Sequence, residues 1–98
     1  SDLPKSKRRK ALVVSSAEFN LKNKNTILMM ITSATRSTWY SDIEIKSWKY
    51  SGLKKPCVAR MKLFTLDNRL IISKTGELIK KDRNNVQNAI KEILNYKP

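Results

Sequence analysis

Two short stretches of the chain are apolar almost without interruption. Ala11-Leu12-Val13-Val14-Ser15-Ser16 and the run Thr26 to Thr32, reading TILMMIT, are rich in branched side chains and too short for ordinary helices. That pattern predicts central strands covered on both faces. The polar stretch Asn20 to Asn25 between them reads as a turn, and Ser33 to Ser37 as a second polar connection. Further on the rhythm becomes period two: Ile43, Ile45 and Ser47 alternate with Glu44, Lys46 and Trp48, which predicts a strand with one wet face nearer an edge. Past the turn signal Ser51-Gly52, the segment Cys57 to Phe64 sets Val58, Met61 and Leu63 against Arg60 and Lys62 in a less regular alternation. Leu66-Asp67-Asn68-Arg69 breaks it, Leu70-Ile71-Ile72 predicts a short further strand or one continuing after a bend, and Gly76 marks the next turn.

From Asp82 the period lengthens. Val86, Ala89, Ile90, Ile93 and Leu94 fall at helical spacing, with Asp82 or Asn84 as the expected cap. Strands followed by a terminal amphipathic helix, without repeat or linker, predict one small domain over residues 1–98: a basic arm over 1–10, barrel strands over 11–73 and a helix over 83–96. A domain of this length leaves much apolar surface wet, so a second copy or a bound partner is expected to cover part of it.

Charge changes the picture most. Lys and Arg number 21 against 8 Asp and Glu, a formal net charge of +13, which a phosphate backbone or an acidic protein would complement. Lys5, Lys7, Arg8, Arg9 and Lys10 crowd the arm; a basic surface that serves solubility alone is the bland alternative. With no histidine and the single cysteine Cys57, there is no internal disulfide, no usual zinc ligand set and no Ser-His-Asp or Cys-His arrangement. Asp42, Glu44, Asp67 and Glu77 are too scattered to argue for magnesium. The chemistry is therefore expected to need no metal or cofactor. No stretch resembles a signal peptide or a membrane span, so a cytoplasmic location is expected. Trp39, Tyr40, Trp48 and Tyr50 offer faces for unpaired bases, with core or dimer packing as the ordinary use for at least half of them. Met29 and Met30 read as core filler, and Cys57 as a small buried hydrophobe.

The runs KRRKALVVSSAEFN, MMITSAT and GLKKPCVARMKLFTLDNRLIISKTGEL, in that order, resemble the MazF/PemK toxins of bacterial type II toxin-antitoxin systems. The likeness runs from about Lys7 to Asp82: a basic loop entering a valine-rich strand, a strand ending in Ile-Thr, then Gly-Leu and a Thr-Leu-Asp turn. It implies a mainly β fold, a small SH3-like barrel of the MazF/CcdB type with a C-terminal helix, usually a homodimer. It also implies a metal-independent, sequence-selective endoribonuclease that cuts single-stranded mRNA to 2′,3′-cyclic phosphate and 5′-hydroxyl ends and is neutralised by an acidic antitoxin. The family's arginine at the first core strand aligns with Arg9, and the threonine closing the next strand with Thr32; these are the expected catalytic residues. Lys7, Arg8, Lys10, Ser33, Arg36, Arg60 and Lys62 are the expected RNA contacts.

Three departures accompany the resemblance. Lys10 stands where the family commonly has proline, which frees a backbone angle beside Arg9. Ala59 and Met61 stand where many relatives carry an arginine and an aspartate that bind or cut RNA, and Arg60 points to the other face of a strand unless a bulge intervenes. Relatives begin with a Gly-Asp-containing strand where this chain has Ser1-Asp2-Leu3-Pro4, so the expectation is either that the start is trimmed or mis-set or that another segment or subunit fills that edge. These leave three alternatives open: a member of the fold that binds RNA or antitoxin without cutting, a gyrase inhibitor of the CcdB type whose action depends on the C-terminal helix, and a general SH3-like RNA-binding or ribosomal protein.

Overall fold

The two apolar runs become neighbouring antiparallel strands. The computed structural model describes residues 8–33 and 37–97. Its strands β1 (Ala11–Val13), β2 (Asn25–Thr32), β3 (Ile43–Glu44) and β4 (Val58–Asp67) form one antiparallel sheet in the order β1-β2-β4-β3. The sheet is curled into a half-barrel, with helices α1 (Ala17–Asn23) and α2 (Lys80–Ile93) added to it. The fold is thus mainly β with a C-terminal helix, as the pattern of the chain predicts. Among the described residues no strand pairs with the outer edge of β1, and no helix is long and apolar enough to cross a membrane.

One face of the sheet makes the core. Met29 and Ala59, both fully buried, join Ile45, Leu78 and Val86, with Leu12, Ile31, Ile43 and Leu63 packed around them. The register explains the choice: Leu12 faces Met29, Met29 faces Leu63 and Ile31 faces Ala59, so these side chains share one side of the pleat. Between Met29 and Met30 the pairing of β2 with β4 jumps from Leu63 to Arg60. Met61 and Lys62 are the surplus, and because two residues are inserted, the alternation of faces survives the bulge. Ala59, Met61 and Leu63 go to the core; Arg60, Lys62 and Phe64 go to the opposite face.

Three local expectations are corrected. The polar stretch read as a turn at Asn20–Asn25 belongs largely to α1. Ser16 caps that helix by accepting the Phe19 N–H at 3.1 Å, Glu18 pairs with Lys22 across one turn, and Lys24 ends it in the left-handed region at φ 55°. Leu70-Ile71-Ile72 is no strand: residues 71–79 form an extended strap without ladder partners. The strap is held by the chain's two glycines, where a Cβ on Gly52 would lie 2.3 Å from the Thr75 carbonyl oxygen and one on Gly76 2.3 Å from that of Ser51. Gly76 therefore marks a backbone contact, not a turn.

The third correction concerns α2, which starts at Lys80 with Ile79 as its N-cap and no side-chain cap bond. Asp82 lies inside the first turn, is 1% exposed, and accepts the backbone N–H groups of Lys46 at 3.2 Å and Ser47 at 2.9 Å. It docks the helix to the end of β3, beneath which Val86 and Ile90 enter the core. The edge strand predicted through Ser47 is consequently short, because those two donors leave the ladder for Asp82 and a 3-10 turn, Trp48–Ser51, follows.

Candidate functional site

The side of the sheet away from the core carries Met30, Arg60, Lys62 and Phe64. Ala11 pairs with Met30; Arg9 stands two residues before the one and Thr32 two after the other, so the antiparallel register, carried on, sets Arg9 across from Thr32. Arg9 and Lys10 also line a shallow cavity of about 330 Å³ with Met30, Lys62, Leu63 and Phe64. Three of these six carry a positive charge and none is acidic. The floor is apolar, and Phe64 keeps 41% of its surface exposed. The bulge in β4 positions Lys62 on this face of the sheet, one alternation from Arg60.

A second concavity of about 340 Å³, lined by Lys24, Asp67, Asn68 and Arg69, lies at the other end of β2. Its one acid is already engaged, since Asp67 caps the turn through the Arg69 N–H at 2.8 Å and pairs with the Arg69 guanidinium at 2.9 Å. Asn68 ties the same turn down, accepting from Thr26 Oγ1 at 2.7 Å and donating to the Asn20 carbonyl at 2.9 Å. This is a structural corner. A lining that holds three basic residues and no acidic one makes the first cavity the better candidate.

The expected site residues divide into three groups. Arg9, Lys10 and Lys62 share the cavity; Thr32 closes β2 and Ser33 follows it, both half-buried and neither in the cavity lining. Arg8 is exposed at the entry to β1, while Lys7 and Arg36 lie outside the described residues. Arg60 stands apart. It is on the expected face, opposite Met30, yet only 5% exposed. Its Nε and Nη2 donate to the two carboxylate oxygens of Asp42 at 3.1 and 2.9 Å, and Nη2 and Nη1 also reach Ser37 O and Oγ at 3.0 and 3.4 Å.

That hydrogen-bonded guanidinium holds the Asp42 carboxyl below its ordinary value, outweighing the opposing effect of burial, and the Arg60 pKa is raised in return. Ala59 and Met61, where the resemblance expects charged residues, face the core. The charge of β4 is carried instead by the alternate positions Arg60 and Lys62. Cys57 donates to the Lys55 carbonyl at 3.2 Å, and burial pushes its thiol pKa up, the behaviour of a packed thiol. Among the described residues no three Cys, Asp or Glu side chains gather as a metal-binding group.

Sequence reasoning missed Asp42, Ser37, Met30 and Phe64 as parts of this surface. Phe64 and Met30 were legible in principle, being in phase with Lys62 and Thr32. Nothing in the spacing could reveal that Asp42 meets Arg60, 18 positions later.

Residues 3–94 match the family model for the PemK-like, MazF-like toxin of type II toxin-antitoxin systems. A crystal structure of an Mtb toxin superposes with a TM-score of 0.74 at 17% identity, covering 88% of this chain and 92% of that one. The Mycobacterium tuberculosis toxin MazF-mt6 superposes with a TM-score of 0.75 at 16% identity, covering 92% and 89%. These likenesses are of fold. Comparison with curated proteins finds no match.

Proposed function

Because this chain belongs to the PemK-like, MazF-like toxin family of type II toxin-antitoxin systems, we propose that it is the toxin of such a pair and cuts single-stranded RNA without a metal. The observation that carries the reading is the Arg9 cavity, three basic residues without an acid over an apolar floor, with Thr32 two residues beyond its lining residue Met30 on the same strand. Such a site suits a phosphodiester flanked by unpaired bases.

In the reaction the 2′-hydroxyl oxygen attacks its neighbouring phosphorus, the bond to the 5′-oxygen breaks, and the proton lost at the first oxygen is balanced by one gained at the second. A 2′,3′-cyclic phosphate and a 5′-hydroxyl result. Negative charge gathers on the non-bridging and departing oxygens, so a fixed positive donor lowers the barrier. Arg9 supplies two parallel N–H groups to those oxygens, and Thr32 donates one hydrogen bond that holds the phosphate in line for attack. The role of Arg9 is electrostatic, since a pKa above 12 makes it a poor proton donor. Lys62 and Lys10 neutralise adjoining phosphates. The same cluster of positive charge would attract the acidic segment of an antitoxin, and exposed Leu70 and Ile72 support a homodimer.

A second reading, binding without cleavage, is favoured by one observation. Arg9 and Lys10 precede the paired residues of β1, and Lys10 lacks the rigid ring that the resemblance expects there. Incubation with a long single-stranded RNA in EDTA separates the two. Discrete cuts with cyclic-phosphate ends, reduced about 100- to 1000-fold in Arg9→Ala and in Thr32→Ala, are expected. RNA that is bound but intact would establish the second reading, and RNA neither bound nor cut would reject both.

A further inference from the structure

The commitment of Arg60 to the protein interior leaves it little capacity for a phosphate, but it gives the segment before β3 an unusual construction. Asp42, besides holding the guanidinium, accepts the Trp39 backbone N–H at 3.0 Å through Oδ2, and its own N–H donates to the Trp39 carbonyl at 3.1 Å. The guanidinium carbon lies 5.3 Å from the centre of the Trp39 ring. Backbone and indole are therefore fixed from one side by a single ion pair, while the residue keeps 44% of its surface exposed. Tyr40, next in the chain, is 94% exposed and has no such backing.

From this geometry we infer that Trp39 is a stacking platform for an unpaired nucleobase of the RNA strand whose phosphate sits in the Arg9 cavity; the inference rests on the RNA-cutting function proposed above. Three observations support it. Arg60, behind the ring, pairs in register with Met30, which lines the cavity, so platform and cavity are neighbours on one face of the sheet. The guanidinium sits over one face of the indole while 44% of the residue stays exposed, an arrangement suited to a base–indole–guanidinium stack. The Asp42 and Arg60 contacts restrict the ring, so less side-chain entropy is lost on binding than for an unsupported tyrosine. Stacking accepts any base, so Trp39 contributes grip and direction along the strand, with base choice left to other contacts. If Trp39 merely anchored its loop, its removal would loosen the segment but its ring would not sense a base.

The test uses a mixed-sequence single-stranded oligonucleotide, 2′-O-methylated throughout so that it cannot be cut, and an oligomer of equal length and charge with abasic sugars. The chain has two tryptophans, so tryptophan fluorescence is followed in the wild type, in Trp48→Phe and in Trp39→Phe. Quenching by the base-bearing oligomer and not by the abasic one, kept in Trp48→Phe and lost in Trp39→Phe, is expected. Trp39→Ala should bind roughly tenfold or more weakly with an unchanged salt slope. Salt-dependent binding with no quenching, or with Trp39→Ala equal to wild type, would overturn the platform and leave the RNA function standing. Weakened binding of Trp39→Ala without quenching in the wild type would make the residue a loop anchor only. Failure of the wild type to bind either oligomer would overturn both.

Discussion

Asp42 and Asp82 are both carboxylates drawn out of water, and they do opposite work. Asp82 receives two main-chain N–H groups, from Lys46 and Ser47, and sits in the first turn of α2, where the helix dipole favours a negative charge. Among the described residues it has no ion-pair partner. Asp42 is neutralised by a guanidinium, at 2.9 Å, and its second duty is to seat an exposed tryptophan. Main-chain donors cannot leave the fold, so a carboxylate they satisfy joins elements permanently. A side-chain cation can be exchanged without altering the sheet, so an ion pair of this kind suits a loop whose exposed ring is its product.

Removing the first clamp should have the largest effect. Asp82→Ala leaves two partly buried donors without their acceptor and is expected to cost about 2 to 3 kcal/mol, a large share of the stability of a domain this small. Urea unfolding should show the midpoint falling with little change in slope. Asp82→Asn keeps one acceptor oxygen and should lose about half as much. Equal stability of all three proteins would mean that α2 is held by Val86 and Ile90 alone.

The second clamp should yield to acid. Arg60 lowers the Asp42 pKa below its usual 3.8, so the stability contributed by the pair is complete above that value and is lost as pH falls through the lowered one. Asp42→Asn should therefore be less stable than wild type at pH 5 to 7, and the difference should shrink below about pH 3.8. A difference that persists undiminished at pH 2 would show that the amide disturbs packing, not charge. In the same variant Trp39 should keep its place in the chain but lose its fixed orientation, with a fall in fluorescence anisotropy.

The smallest expected effect lies outside both clamps. Lys62, projected from the bulge in β4, is read as one phosphate contact, so Lys62→Ala should reduce the slope of log affinity against log salt by about 0.7 for single-stranded RNA. Stability should be unchanged within about 0.5 kcal/mol. A loss of affinity at unaltered slope would assign Lys62 to packing of the cavity floor.

The main strands, the terminal helix and the strongly positive charge were legible because each is written in neighbouring residues or in residue identity. Continuous apolar runs mark β2 and most of β1, and the spacing of Val86, Ala89 and Ile90 marks α2. The helix α1 was not, for at seven residues it is barely two turns long and offers no period to detect; Ser16, its cap, was the available signal. Leu70, Ile71 and Ile72 have strand composition without a strand's partner, because the backbone contact between Gly52 and Gly76 holds the strap away from any ladder.

By itself the amino-acid order determined periodicity, sign of charge and, through the likeness of its motifs, the pairing of Arg9 with Thr32 as candidates. Each depends on local spacing or on residue identity. The tertiary structure decided which face each candidate occupies: that the two-residue bulge keeps Lys62 outward, that Ala59 and Met61 turn to the core, and that Arg60 is spent on Asp42. Those outcomes depend on contacts between residues far apart in the chain, where a register shift moves a charge from solvent to interior without changing a letter of the sequence.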